Sequence, residues 1–138
     1  MDLLAHNVKT NGARVQQATR IMGYRWGQHN ETAAVLKALG GNHPALILAS
    51  DLIYPGNTDA WAPLLDSIRA LSRPDGMTVV IYGHTRRARE DIAFLRLARE
   101  LFHVKRVPPR LLPAEKRTTE SAIYTMRLKS TVEEREEG

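Results

Sequence analysis

Residues 44–54, Pro-Ala-Leu-Ile-Leu-Ala-Ser-Asp-Leu-Ile-Tyr, limit the folds open to this chain more than any other stretch. An apolar run from Ala45 to Ala49 ends abruptly at Ser50 and Asp51, and Tyr54 leads into a Pro-Gly-Asn turn. An unbroken apolar run of this length, preceded by a proline and closed by polar residues, reads as a strand buried on both faces, as in a parallel sheet. Open α/β sheets bind their ligands just beyond the carboxyl ends of such strands. Asp51 and Tyr54 stand at that place, so the functional reading turns on them.

A chain of 138 residues fits one domain and is long enough to bury a core. It contains no cysteine, which excludes a disulfide framework, a thiolate nucleophile and a cysteine-based zinc site. No apolar run approaches membrane-spanning length, and the start, Met-Asp-Leu-Leu-Ala-His-Asn, lacks the basic and long apolar regions of a signal peptide. The cytoplasm or the nucleus is the expected location. The net charge is +5. Part of the excess lies in Arg86, Arg87 and Arg89, and part in Lys105, Arg106, Arg110, Lys116 and Arg117. These residues read either as a solvated basic surface or as a surface for an acidic partner, with the 105–117 stretch the candidate. Aromatics are not interleaved among them, which argues against a single-stranded nucleic acid. The end of the chain, 130–138, is acidic and nearly free of apolar residues, and reads as a disordered tail.

Hydrophobic periodicity orders the rest. Leu3, Leu4 and Val8 share a helical face that stops at Asn11-Gly12. Residues 18–25 are a short strand candidate leading to Trp26-Gly27, and 31–39 a short helix. After the 45–50 strand, Asn57 or Thr58 caps a helix to residue 72 whose apolar positions are Trp61, Leu64, Leu65, Ile68 and Leu71. Pro74-Asp75-Gly76 turns the chain into a second buried strand, 77–82, ending at Gly83-His84. A helix over about 86–102 presents Ile92, Leu95, Ala98 and Phe102. Strands at 102–107 and 120–128 follow, separated by a basic, Pro-rich loop too short for a parallel crossover, so these two are expected to be antiparallel neighbours. In the last strand Tyr124, Met126 and Leu128 face one way and Ile123, Thr125 and Arg127 the other.

Common chemical signatures are missing. The sequence has no Gly-rich phosphate loop and no Gly-x-Ser-x-Gly elbow. Its five histidines lie far apart, so no metal site is expected. What remains is Asp51 and Tyr54 after one strand, Trp26 after another and Tyr82 to His84 after a third. Each has a plain structural reading: Asp51 as a turn cap, Tyr54 as packing on the sheet end, Trp26 as a rim aromatic. Gathered at one sheet edge, they read as a site. Asp51 and Tyr54 suit the orientation of a hydroxyl or an amine by hydrogen bonds, and Trp26 suits packing on a planar heterocycle.

Leu3-Leu4, Asn7-Val8 and Asn11, then Tyr24-Arg25-Trp26-Gly27, then Ala49-Ser50-Asp51-Leu52-Ile53-Tyr54 together resemble the family 16 lysine methyltransferases over roughly residues 2–128. The Asp-x-x-Tyr element is that family's mark. The resemblance implies a Rossmann-like α/β fold, the seven-β-strand methyltransferase sheet, with parallel strands and an antiparallel C-terminal hairpin. It implies S-adenosylmethionine as cofactor and a protein lysine as methyl acceptor. By position, Trp26 would pack beside the adenine and Ser50 would touch the cofactor through its backbone. Asp51 and Tyr54 would border the channel where the amine meets the methyl group.

In the family a strand, a Gly-rich loop and a second strand with an acidic residue precede the point where this sequence starts. The expectation is therefore a partial sheet without its first two strands, an incomplete methyltransferase domain over 1–129, with an exposed apolar edge on the strand 45–50. The lack of that loop counts against activity of these residues alone. Two other readings stay open: a non-catalytic protein-binding remnant of such a domain, and an RNA or small-molecule methyltransferase. The Asp51-to-Tyr54 element favours the lysine branch, because nucleic-acid amino-group enzymes usually carry a Pro-rich tetrapeptide there.

Overall fold

A computed structural model describes residues 2–12, 19–54, 56–85, 91–116 and 121–130. Two short helices come first, α1 (Asp2–Thr10) and α2 (His29–Ala38). Strand β1 (Leu46–Ser50), helix α3 (Trp61–Leu71), strand β2 (Val79–Thr85), helix α4 (Asp91–Leu101), and strands β3 (Phe102–Arg106) and β4 (Ser121–Leu128) follow. The strands form one sheet in the order β1-β2-β4-β3. β1 runs parallel to β2, and β4 is antiparallel to both β2 and β3. The parallel pair and the antiparallel end agree with the pattern read from the sequence.

The connectivity decides where the core lies. The crossovers β1-α3-β2 and β2-α4-β3 step across the sheet in the same direction. Parallel crossovers are right-handed almost without exception, so both helices are sent to the same face. Leu64, Leu65 and Ile68 of α3 and Phe94, Leu95 and Ala98 of α4 accordingly share one core with Val80, Tyr82, Phe102 and Met126. Trp61 meets Phe94 edge to face with ring centroids 5.9 Å apart, and Tyr82 lies 5.6 Å from Phe94. On the opposite face of β1, Leu46 and Leu48 remain 49% and 72% exposed. This corrects the reading of a strand buried on both faces: both crossover helices cover the other side of the sheet, while the exposed edge foreseen for this strand is present, since β1 ends the sheet order.

Several expectations are corrected. Residues 19–25 form no strand. A lone extended segment has no ladder for its backbone groups. This one is held instead through side chains on α2, with Tyr24 Oη 2.7 Å from Thr32 Oγ1 and Arg25 paired to Glu31. The second strand is shifted by about two residues and includes Gly83, His84 and Thr85, because β4 pairs with β2 beyond the end of β1. The helix expected from residue 58 begins as a 3-10 turn, Thr58–Ala60, and becomes α-helical at Trp61; neither Asn57 nor Thr58 supplies a side-chain cap there. In α4 the buried stripe is Phe94, Leu95 and Ala98, while Ile92 is exposed and Phe102 already belongs to β3. Arg86, Arg87, Arg89, Arg117 and most of the acidic tail lie outside the described residues.

Candidate functional site

The site begins where β1 ends before β2 does. Ser50 is the last β1 residue in register, opposite Gly83. The Asp51 amide donates to the Gly83 carbonyl at 3.0 Å and carries the ladder one step further. The chain then turns sharply, because Asp51 has φ +50°, the one non-glycine residue with positive φ among those described. Aspartate tolerates this left-handed conformation better than most residues. Its carboxylate Oδ1 accepts from the Thr85 amide at 3.3 Å, so the side chain closes over the end of β2.

A cleft with a volume of about 490 Å³ opens at these strand ends. Ser50, Asp51, Gly83, Thr85, Glu115 and Ser121 supply its polar wall and backbone, and Leu112, Ala122 and Ile123 its apolar part. Gly83 keeps the floor low: a Cβ at that position would come 3.3 Å from Ser50 Oγ. Two carboxylates and three hydroxyls line the cleft, and no lysine or arginine does so among the described residues. The buried His84 stacks on Tyr82 with ring centroids 5.7 Å apart and forms part of the wall. A second cleft, about 590 Å³, is lined by His29, His43, Arg69, Glu100 and Lys129. It lies at the other end of the sheet, where helices α3 and α4 finish, and basic side chains there suit the negative ends of the helix dipoles.

Of the residues singled out from the sequence, Ser50 and Asp51 line the first cleft. Tyr54 lies three residues further on, 52% exposed, outside the cleft lining. Trp26 is half-buried against the core rather than in the lining. Its neighbour Gly27 docks on α3, donating its amide to Ser67 Oγ at 2.7 Å.

Thr85, Glu115 and Ser121 of the cleft lining were not foreseen, nor was the role of Asn57. Thr85 and Glu115 carry no motif, and only the fold brings them to the cleft. Asn57 was read as a helix cap, but its amide points back along the chain to Leu52 and Tyr54.

Among the described residues no cluster of histidines and carboxylates could hold a metal ion, and no helix is long and apolar enough to cross a membrane. None of the curated proteins matches the chain. A lysine methyltransferase family model matches residues 1–101, from the first residue to the end of α4. This is shorter than the 2–128 span of the resemblance, but it includes β1, the Asp51-to-Tyr54 element and all of β2. A match over 101 of 138 residues, laid on a mixed four-stranded α/β sheet with a cleft at its strand ends, establishes that the chain belongs to the lysine methyltransferase family.

Proposed function

We propose that this chain carries the acceptor side of a methyltransferase that moves a methyl group from S-adenosylmethionine to a lysine amine of a protein. The observation that carries the reading is the placement of Ser50 and Asp51 in a cleft at the carboxyl ends of β1 and β2 into which two carboxylates, Asp51 and Glu115, are brought. Family membership implies use of S-adenosylmethionine in general, and the cleft fits its cationic centre in charge. Asp51 and Glu115 provide negative charge, the Ser50, Thr85 and Ser121 hydroxyls suit a ribose, and the volume is that of a small-molecule site. When bound, the cofactor supplies an electrophilic methyl group.

The residues of the chain do the positioning. Asp51, fixed by its own amide and by Thr85, draws in the positively charged lysine side chain and then accepts a hydrogen bond from the neutral amine once its proton has left to solvent. Tyr54 offers a hydroxyl and a ring face beside the same approach. Leu112, Ala122 and Ile123 exclude water from one side. Alignment of the amine, rather than acid–base chemistry on the protein, supplies most of the acceleration under this reading.

Calorimetry with S-adenosylmethionine, together with radiolabelled methyl incorporation into arrayed lysine peptides, tests the proposal. Asp51→Asn keeps the left-handed turn and the acceptor for Thr85 while removing the charge. It is expected to lower methyl incorporation about 10- to 100-fold, as for loss of a charge-assisted hydrogen bond. Incorporation unchanged in Asp51→Asn, or none in the wild-type chain, sinks the reading. A non-catalytic role, binding an acidic protein partner, is favoured by one observation: Lys105, Arg106 and Arg110 are all exposed at the end of β3. Capture of an acidic peptide that is lost when these three are reversed to glutamate supports that alternative, and no capture at low salt removes it.

A further inference from the structure

We propose that Asn57 is the positioning residue of this site: its buried side-chain amide fixes the orientation of the Asp51–Tyr54 loop against the start of α3. The inference rests on the reading of Asp51 and Tyr54 given above. Asn57 is 9% exposed, yet it lies in a loop. Its Oδ1 accepts from the Tyr54 amide at 3.1 Å and from the Trp61 indole Nε1 at 3.2 Å, while Nδ2 donates to the Leu52 carbonyl at 3.0 Å. Tyr54 N–H and the indole can only donate, and a carbonyl can only accept, so one amide orientation alone satisfies all three. The Asn57 backbone N–H also donates to the Tyr54 carbonyl at 3.2 Å, closing the turn in which Gly56 takes φ +88°.

These bonds act on the peptide groups on both sides of Ile53. That side chain is 1% exposed and plugs the core, which fixes where the loop sits. A plug alone does not fix the rotation of the loop about it. Asn57 does so by holding the carbonyl before Ile53 and the amide after it. It thereby sets the direction in which Tyr54 leaves the surface, and through Leu52 the exit from the Asp51 turn. Trp61 ties this clamp to the core, since its ring packs on Phe94. A helix cap would turn its side chain forward to the first helical amides. Asn57 turns backward to the site loop, which makes it a positioning group rather than a helix-stabilising one.

Asn57→Leu and Asn57→Asp separate the alternatives. Leucine keeps the volume and loses every side-chain bond. Aspartate keeps acceptors for the Tyr54 amide and the indole, but turns a carboxylate oxygen onto the Leu52 carbonyl where the donor stood. Amide exchange at Tyr54 and the indole resonance of Trp61, read by NMR, report on the clamp. S-adenosylmethionine titration and the kcat and KM of methyl incorporation report on the site. Asn57→Leu is expected to speed Tyr54 amide exchange about tenfold, the equivalent of one lost hydrogen bond. It is also expected to shift the Trp61 indole resonance toward that of an exposed tryptophan, and to lower kcat more than it raises KM. Asn57→Asp should keep the Tyr54 protection and the indole shift nearer to wild type than leucine does, but lower kcat, because the Leu52 carbonyl is no longer held.

Unchanged Tyr54 exchange in Asn57→Leu overturns the proposal, as does a wild-type kcat in both variants, which would make the role one of packing. Should Asn57→Leu not fold, Asn57→Asp decides the matter alone: a wild-type kcat in it, with the Leu52 bond lost, refutes the clamp. The expected exchange pattern in a chain that neither binds S-adenosylmethionine nor transfers methyl refutes the reading of the site and leaves the clamp standing.

Discussion

Gly76 and Asp75 show how much one turn residue can decide. Gly76 sits at φ +71°, and a Cβ there would come 2.8 Å from the Leu128 carbonyl oxygen. Both the left-handed backbone and the contact with backbone oppose any side chain. Gly76→Ala is therefore expected to destabilise the fold by about 1–3 kcal/mol, readable as a lower urea midpoint with an unchanged slope. Next to it, the Arg73 guanidinium holds the Asp75 carboxyl down to about 2 from the usual 3.8, with help from the Met77 amide. A carboxyl lowered in the folded state favours folding above its unfolded value and loses that contribution as it protonates. The stability is thus complete above about pH 4 and fades as pH falls from 4 to 2. The pair is solvent-exposed, so its share is small. Asp75→Asn should lower stability slightly at pH 7, converge with wild type near pH 2 and so flatten the acid limb in that window; an acid limb identical to wild type would show that the pairing does not matter.

The helices hold the sheet through few side chains, and Phe94 is the busiest of them. It is 1% exposed and touches both Trp61 of α3 and Tyr82 of β2. Its removal separates α4 from α3 and from the sheet together. Phe94→Ala is expected to cost about 3–5 kcal/mol, which thermal unfolding would register as a large fall in Tm. Ile92→Ala, on the exposed side of the same helix, should cost little. The sequence periodicity placed α4 correctly as an amphipathic helix, but chose Ile92 instead of Phe94 for its buried stripe. Positions three and four apart are consistent with more than one stripe, and contact with Tyr82 and Trp61 selects between them. The candidate strand at 18–25 failed for a related reason: strand propensity alone does not form a strand where no neighbour offers a ladder.

Across the molecule, one face of the sheet is packed and the other is not. β1 sits at the sheet edge with Leu46 and Leu48 on the open face. A parallel strand is normally covered on both faces, and an apolar edge invites pairing between chains. Leu48→Lys is expected to raise the concentration at which light scattering detects association, with no loss of Tm because the side chain is already 72% exposed. The same asymmetry gives the cleft its position. Both helices leave to one side, and β2 and β4 extend past the end of β1, so an open step remains at Ser50, Asp51 and Gly83.

The parallel pair, the two helices behind it and the antiparallel end were legible because burial patterns repeat along the chain: a run of five apolar residues, a helical stripe from Trp61 to Leu71, an alternation from Ile123 to Leu128. Ser50 and Asp51 were legible because they interrupt such a run. Tertiary structure alone decided the rest. It turned Asp51 into a left-handed corner, brought Thr85, Glu115 and Ser121 from distant segments to its side, and left Trp26 and Tyr54 off the cleft wall. It also reversed the meaning of Asn57, from a cap for the helix ahead to a clamp on the loop behind. Periodicity records which side of an element is buried, because burial repeats with the backbone. The direction of a single polar side chain depends on partners that the chain meets only after it has folded.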